Sequence, residues 1–416
     1  MDGLGQRQRG VVAVVIAIGL LALLAMAGLA LDSGHLILNK SRLQNTVDSA
    51  ALAAAKVLDQ TGSEAQATTA ARGIFDLNAA NHPELARVLS GSGITLQYSN
   101  TLEPWAPGSA PARYVRVVAE DFSMWTSFAS LVGVTDLSTA ASAVSGPVPL
   151  DEGESDGSEA CDLVPMMVCA DMSAGAPGYF GYQGNNVSLL KIGSNVTGPI
   201  GPGNFQLFEL GGAGANVVRQ NLAGAYNQCI DPGGEITTKP GNNTGPTAQG
   251  LNTRFGQYQG GGMNPNDFPP DKVITQPTRP VEVDDAGIVV FVDTQQPVDS
   301  SNFNQLGFTH STYEFRTQNG PYDRQNGEFR RRELAVPFVD CTETVNGHGT
   351  IPVVGLGCFF LLQEVVQQGT ENFVFAEFVE GGCQASGTPA PDPNPDPEDP
   401  GPYKIVLHND PLSPDS

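Results

Sequence analysis

The chain has 416 residues, a formal net charge of −23 and only 16% charged side chains. So acidic a surface would repel nucleic-acid phosphates, which argues against a nucleic-acid-binding protein. Its 49 glycines and 31 prolines are typical of a loop-rich extracytoplasmic β protein, not of a helical cytosolic enzyme.

The chain begins with an apolar segment, residues 11–31, that contains no charged side chain. As a helix rising about 1.5 Å per residue, this segment covers roughly 30 Å, the hydrocarbon thickness of a bilayer. This length favours a retained transmembrane helix behind a cytoplasmic N-terminus, residues 1–10. A cleaved signal peptide is the alternative, because Ala25-Met26-Ala27 has the small residues that signal peptidases accept.

Apolar residues continue at helical spacing beyond this segment and predict an amphipathic stalk. The stripe comprises Leu36, Leu43, Val47, Ala51, Ala54 and Leu58. Because no proline interrupts residues 11–58, we expect one continuous helix of about 70 Å. The positive-inside rule gives a slight preference for a cytoplasmic N-terminus, since Arg7 and Arg9 precede the apolar segment.

A small α+β domain, residues 32–146, is predicted to include the stalk and the elements that follow it. The patterns predict a helix over 63–80 and a strand over 93–99. They also predict a strand over 113–122, a short helix over 123–133 and a strand over 135–146.

An acidic linker, residues 147–160, is expected to lead into a mainly β domain, residues 161–383. Two helical patches are predicted inside this domain, over 216–222 and 249–258. Strands are predicted over 288–293, 333–341, 350–366 and 372–379. The Pro/Asp-rich tail, residues 384–416, is predicted to be disordered.

All six cysteines lie in the second domain and are expected to form disulfides. They are Cys161, Cys169, Cys229, Cys341, Cys358 and Cys383. An even number without metal-ligand spacing favours an oxidising, extracytoplasmic compartment over zinc binding. The sequence leaves the pairing open among about 15 possibilities.

Motifs for catalysis or metal binding are weak. Residues 153–157 have the G-x-S-x-G pattern, but they lie in the acidic linker and not between a buried strand and a helix. Asp171 and Ser173 resemble the start of the D-x-S-x-S metal site of von Willebrand factor A domains, yet Gly175 stands where the second serine belongs. We therefore expect a turn there, and predict no catalytic residue, metal, cofactor or small-molecule substrate. The basic run 330–332 is expected to pair with nearby acids.

Short motifs surround the apolar segment in a specific order. They are Arg9-Gly10 before it, the sequence through Asp32 at its end, Arg42-Leu43-Gln44-Asn45, and Asp48 before an alanine-rich run. Together, over residues 7–56, they resemble the N-terminal region of TadE/TadG-like Flp (tight adherence, Tad) pilus-assembly proteins. A looser similarity to the second half of TadG-like proteins lies in residues 200–212 and 239–255.

The resemblance implies a single-pass protein of the inner membrane, with a pilin-like head and most of its chain in the periplasm. It implies a non-enzymatic structural or accessory role in pilus assembly. Its implied partners are the membrane and other pilin-like or Tad assembly proteins. Flp-type prepilins are cut after a glycine with glutamate five residues on, whereas Val15 stands five residues after Gly10. This departure argues against prepilin processing.

Two other functions stay open from the sequence. An adhesin or binding module on a membrane stalk is the first alternative, because exposed loop-rich domains often bind partners. An extracytoplasmic enzyme is the second, although the sequence lacks a motif in a catalytic context.

Overall fold

A computed structural model describes residues 8–82, 93–126, 128–150, 158–193, 200, 203–224, 228–366, 371–389 and 400–413. The chain divides into two compact units. The first unit contains residues 1–57, 64–146 and 407–416, and the second contains residues 58–63 and 147–406.

The first unit is built on two helices. Helix α1, Gln8–Thr61, is continuous over 54 residues, which confirms the single long helix expected from the sequence. Helix α2, Glu64–Ala80, confirms the second predicted helix and buries a stripe of small and aromatic residues: Ala67, Ala71, Phe75 and Ala79. The amphipathic part of α1 is buried along Leu43, Val47, Ala50, Ala51 and Ala54.

Three antiparallel strands complete the first unit: β1 (Thr95–Ser99), β2 (Tyr114–Trp125) and β3 (Asp136–Pro149). Strand β2 lies in the middle, because it pairs with both β1 and β3. Tyr98 of β1 ties the sheet to α2, since its hydroxyl donates to the Glu64 carbonyl at 2.9 Å and lies 2.7 Å from the Thr68 hydroxyl.

The short helix predicted over 123–133 is wrong. Residues 123–125 extend β2, where Met124 pairs with Leu137 and is 2% exposed. Only Ala129–Val132 is helical, as one 3₁₀ turn that ends at Gly133 in the left-handed conformation (φ 91°). Pairing with β3 satisfies the backbone of residues 123–125, which outweighs a weak local helical pattern.

The second unit is mostly β. Its first seven strands are β4 (Glu159–Cys161), β5 (Val168–Cys169), β6 (Val187–Lys191), β7 (Asn204–Phe208), β8 (Glu235–Pro240), β9 (Val281–Val283) and β10 (Val289–Phe291). The later strands are β11 (Glu333–Val339), β12 (Thr350–Leu361), β13 (Val374–Phe378), β14 (Cys383–Gln384), β15 (Ser386–Thr388) and β16 (Pro402–His408).

Its helices are α3 (Ala215–Ala223), α4 (Thr244–Leu251) and α5 (His310–Asn319), with 3₁₀ turns at Asn252–Phe255 and Phe303–Leu306. Helix α3 confirms the patch predicted over 216–222. The patch predicted over 249–258 is only partly right, because α4 begins earlier, at Thr244, and the 3₁₀ turn that follows it ends at Phe255. The four predicted strands are present with shorter bounds. Helix α5 was not predicted, because its sequence HSTYEFRTQN has no apolar stripe.

The central sheet has the order β5-β11-β12-β13-β6 and is covered on both faces. Along β11, Leu334, Val336 and Phe338 join one apolar cluster, whereas Ala335 and Val339 join the other. Successive strand residues point to opposite faces, so both faces of this sheet are core. Burial on both sides explains why its strands are continuous apolar runs in the sequence.

The predicted linker and tail are more ordered than expected. Residues 147–149 continue β3 and residues 159–160 begin β4, while residues 151–157 lie outside the described residues. In the tail, β15 pairs with β4, and β14 pairs in parallel with β16. Pairing supplies hydrogen bonds that the Pro-rich composition does not reveal, so the prediction of disorder is wrong for these strands.

Three disulfides use all six cysteines: Cys161–Cys229, Cys169–Cys341 and Cys358–Cys383. They confirm the expected disulfides and select one pairing. Each joins segments of the second unit that are distant in sequence, by 68, 172 and 25 residues respectively.

We expect the double variant Cys169→Ala/Cys341→Ala to lower the free energy of unfolding of the second unit by about 5 kcal/mol. The chain-entropy model gives this value for so long a closed loop. Urea unfolding of the full chain in detergent would measure it. Met172→Ala, at an exposed site nearby, is the control and should cost about 0.5 kcal/mol or less. Equal stabilities of the double variant and the parent would contradict the prediction.

Candidate functional site

The first candidate site is the apolar N-terminal part of α1. Twelve large apolar side chains between Val12 and Leu31 are each 57–66% exposed. Burying one such side chain is worth about 1.5–3 kcal/mol, so this surface is poorly suited to water. Within the described part of the chain, α1 is the helix long and apolar enough to cross a membrane, judged by length and composition.

The apolar segment ends where α1 contacts the turn at Ala129–Val132. The Asp32 carboxylate accepts hydrogen bonds from the backbone N–H groups of Phe128, at 2.9 Å, and Ala129, at 2.6 Å. One turn earlier in α1, a Cβ on Gly28 would lie 2.5 Å from the Phe128 Cβ. The motif residue Asp32 therefore fixes a loop against α1, and Gly28 leaves room for the ring of Phe128.

One further motif residue, Gln44, ties α1 to the sheet of the first unit. The Gln44 amide nitrogen donates to the Asp48 carboxylate and to the Ser142 carbonyl of β3, both at 2.8 Å. Arg42 is half-buried, and its carbonyl accepts a 2.8 Å hydrogen bond from the Thr46 hydroxyl. Arg9 and Gly10 lie in α1, but their side-chain environments are outside the described residues. Asp32 and Gln44 thus position α1 within its own unit.

The weak metal candidate is a local turn. Asp171 accepts hydrogen bonds from the Ser173 backbone N–H, at 2.9 Å, and the Ser173 hydroxyl. These hydrogen bonds lower the pKa of the exposed Asp171 carboxyl below its usual value. In the described ranges no group of three metal-ligating side chains is assembled. The G-x-S-x-G sequence at 153–157 lies outside the described residues.

The basic run 330–332 is at the centre of a buried polar network in the second unit. The guanidinium of Arg332 is fully buried and donates to four backbone carbonyls: those of Val273, Thr275, Leu361 and Leu362. The Asp271 carboxylate accepts from the Arg332 backbone N–H at 3.1 Å and from the Tyr313 hydroxyl at 2.9 Å. Burial raises the pKa of Asp271 to about 6, which the Val273 N–H and the charge of Arg332 only partly oppose.

Arg330 binds the end of α1. Its guanidinium donates to the Asp59 carbonyl at 2.8 Å and to the Glu333 carboxylate at 2.6 Å. Tyr403 of β16 donates its hydroxyl proton to the Asp59 carboxylate. A cation at a helix C-terminus interacts favourably with the helix dipole and caps its free carbonyls. The expected pairing with acids therefore holds for Arg330, whereas the guanidinium groups of Arg331 and Arg332 donate to backbone carbonyls.

His310 completes this network and was not singled out from the sequence. Its Nε2 atom lies 3.1 Å from the Glu333 carboxylate, and its backbone N–H donates to the Glu377 carboxylate at 2.6 Å. Burial alone would lower the pKa of His310, but the hydrogen bond and charge of Glu333 raise it above its usual value. A lone histidine at the start of an unpredicted helix gives no sequence signal for such a contact.

These features define a class of protein: an α+β, disulfide-bonded chain with one N-terminal helix that could span a membrane. Residues 10–57 match the Tad family model, described as "Putative Flp pilus-assembly TadE/G-like". The match lies within α1 and confirms the N-terminal resemblance. It does not extend to the looser similarity over residues 200–212 and 239–255, which stays a prediction. No curated protein and no solved structure matches this chain.

Removing the Asp32 carboxylate should loosen the turn at Ala129–Val132. In Asp32→Ala, the amides of Phe128 and Ala129 lose their shared acceptor, and leaving such groups unpaired costs about 1–3 kcal/mol. We therefore expect their hydrogen exchange to become about tenfold faster or more, measured on the full chain in detergent. Asp32→Asn, which keeps one acceptor oxygen, should fall between. Exposed Ser33→Ala is the control, and equal exchange in Ser33→Ala and Asp32→Ala would contradict the role of Asp32.

The second unit should be more stable near pH 5.5 than near pH 8. The pKa of Asp271 is raised from its ordinary value of 3.8 to about 6 in the folded protein. The folded state therefore becomes more stable relative to the unfolded state as the pH falls from about 6 towards 3.8. The raised pKa of His310 acts in the same direction, because its contribution is lost as the pH rises through the folded pKa. Between pH 8 and pH 5.5 Asp271 should contribute about 1 kcal/mol, because its full contribution of about 3 kcal/mol is reached only below its ordinary pKa.

Calorimetric unfolding of the full chain at both pH values would measure this difference. Asp271→Asn removes the titrating carboxyl and should flatten the pH dependence, even though the variant is less stable overall. An unchanged pH dependence in that variant would rule out Asp271 as its source.

Proposed function

We propose that this protein is a membrane-anchored, periplasm-facing structural or accessory component of Tad-type (Flp) pilus assembly that acts by contact, not by catalysis. The observation that carries the proposal is the family match over residues 10–57, which coincides with α1. The same helix supplies an exposed apolar segment and a buried core element. Such a helix can root a folded domain directly in a membrane.

Retention of the apolar segment is supported by its continuity with the rest of α1. A signal peptide is removed, and it has no need to share a helix with the core of the mature protein. Here the helix runs without a break from Gln8 to Thr61. The mature protein would therefore keep its anchor.

A periplasmic location for the bulk of the chain is supported by the three disulfides. Disulfides persist in oxidising compartments such as the bacterial periplasm and are rare in the cytosol. All of them lie in the second unit, which follows the anchor. With the bulk outside, the N-terminus would face the cytoplasm, and the anchor would cross the inner membrane once.

Other pilin-like helices are the proposed partners of the anchor. Gly19 lies in the apolar segment, and a Cβ placed there would contact none of the residues that the structure describes within 4 Å. The fold of this chain therefore does not require glycine at this position. Small residues let a second membrane helix approach closely, which is how helices associate in lipid.

A contact role is supported by how the buried ionisable groups are used. The buried ionisable groups of the second unit hydrogen-bond to one another or to neighbouring backbone groups; they are Arg332, Asp271, Arg330, Glu333 and His310. They are engaged in holding the second unit together. The alternative function is that of an adhesin or binding module, since the second unit is rich in loops.

The first experiment is the N-terminal sequence and intact mass of the mature protein from fractionated cells. We expect the inner-membrane fraction to contain the chain with residues 11–31 retained. We also expect deletion of the gene to abolish Flp pili, and the full chain to restore them. A control chain, with residues 1–31 replaced by a cleavable signal, should be secreted and fail to restore pili.

Other mature N-termini would contradict the proposal in different ways. A chain that begins at Gly28 and leaves the membrane would favour the secreted adhesin or binding module. A chain that begins at Val11 would indicate prepilin processing and a filament subunit. Normal piliation in the deletion strain would exclude a required assembly role.

A further inference from the structure

A short uncharged loop lies beside the end of the apolar segment of α1. Residues 123–135 contain no charged side chain, although Asp121 and Asp136 flank them. Within this range, residues 126–135 connect β2 to β3. We call residues 126–134 of this connection the 126–134 loop; residue 127 lies outside the described residues. Ala129 is buried and Gly133 closes the 3₁₀ turn, so the described part of the loop has a defined conformation.

Two contacts fix the height of this loop along α1. The Phe128 Cβ and Cγ atoms lie so close to Gly28 that a Cβ there would approach them to 2.5 and 2.7 Å. The Asp32 carboxylate accepts the N–H groups of Phe128 and Ala129. Gly28 and Asp32 are separated by one helical turn, about 6 Å along the axis. Leu31, the last residue of the apolar segment, lies between them.

The loop exposes apolar surface at this height. Phe128 is 44% exposed and Val134 is 41% exposed, even though the adjoining Ala129 is only 8% exposed. In water such surface is unfavourable, at about 25 cal/mol per Å² of apolar area. At the end of a membrane segment, the same surface meets the boundary between acyl chains and headgroups, where aromatic side chains are enriched.

We infer that the 126–134 loop is a second membrane contact, with Phe128 and Val134 inserted in the interfacial layer of the bilayer that holds α1. This inference rests on the proposed anchoring of α1. Lipid is the occupant because the loop continues the apolar surface of the anchor at its membrane-exit end. Electrostatic adsorption to anionic lipid does not account for the contact, since the loop carries no basic residue and the chain has a net charge of −23.

A second contact would restrict the tilt and rotation of the first unit at the membrane surface. One helix in a bilayer can tilt and rotate, and interfacial anchors limit both motions. Asp32 would be the residue that couples the two contacts, because it holds the loop on α1. The α+β head would then present a defined side to neighbouring proteins.

Tryptophan fluorescence of the full chain in phosphatidylcholine vesicles can test the contact. In a background of Trp105→Phe and Trp125→Phe, single tryptophans are introduced by Phe128→Trp or Val134→Trp. Bromine atoms at different depths on the lipid chains quench tryptophans that enter the bilayer. Leu20→Trp reports the anchor, and Leu77→Trp, which replaces a 66% exposed side chain of α2 in the same unit, is the aqueous control.

We expect quenching of the loop tryptophans several-fold above that of Leu77→Trp, strongest with shallow bromines. Leu20→Trp should be quenched most by deep bromines. The quenching of the loop should persist in about 1 M salt, where the Debye length is about 3 Å, because the contact is apolar.

Each other outcome overturns a distinct claim. If Leu20→Trp is quenched while both loop tryptophans match Leu77→Trp, the loop inference fails and the anchor stands. If Leu20→Trp is not quenched, the proposed anchoring itself fails. If the loop tryptophans are shielded from aqueous iodide but not quenched by bromolipid, protein covers the loop and the lipid contact is wrong.

Discussion

The structure depends on one helix that meets two environments along its length. From Val12 to Leu31 the apolar side chains of α1 are exposed, whereas from Leu43 to Leu58 its apolar stripe is buried in protein. A helix can pass between these environments because its backbone hydrogen bonds are internal and need neither water nor a partner strand. Asp32 directly follows the exposed apolar segment, and its carboxylate accepts hydrogen bonds from two backbone N–H groups.

The second unit is held together by different means. Its central sheet is buried on both faces, and its long connections are joined by three disulfides. Arg332 and Asp271 are buried together among backbone carbonyls, N–H groups and the Tyr313 hydroxyl. Breaking such a buried pair is costly, because it leaves an uncompensated charge away from water. These groups therefore bind the irregular loops into one defined arrangement.

Sequence patterns predicted the elements well where one periodicity extended over many residues. Helices α1 and α2 and the strands β1, β2, β3, β11, β12 and β13 belong to this group. The predictions failed where a distant partner decides local structure. Residues 123–125 join β2 because β3 pairs with them, and β16 forms in a Pro-rich tail because β14 pairs with it. Helix α5 has no apolar stripe, and its buried Tyr313 is held by Asp271.

The sequence by itself determined the anchor-like helix, the α+β class, the disulfide-bonded character of the second region and the family resemblance. Each of these depends on composition, periodicity or residue order, which are local properties. Only the tertiary structure decided which cysteines pair and that Asp32 holds the 126–134 loop. It also decided that His310, Glu333 and Arg330 form one network with Asp59. These contacts join residues far apart in the chain, and no local pattern encodes them, because they depend on how the whole chain packs.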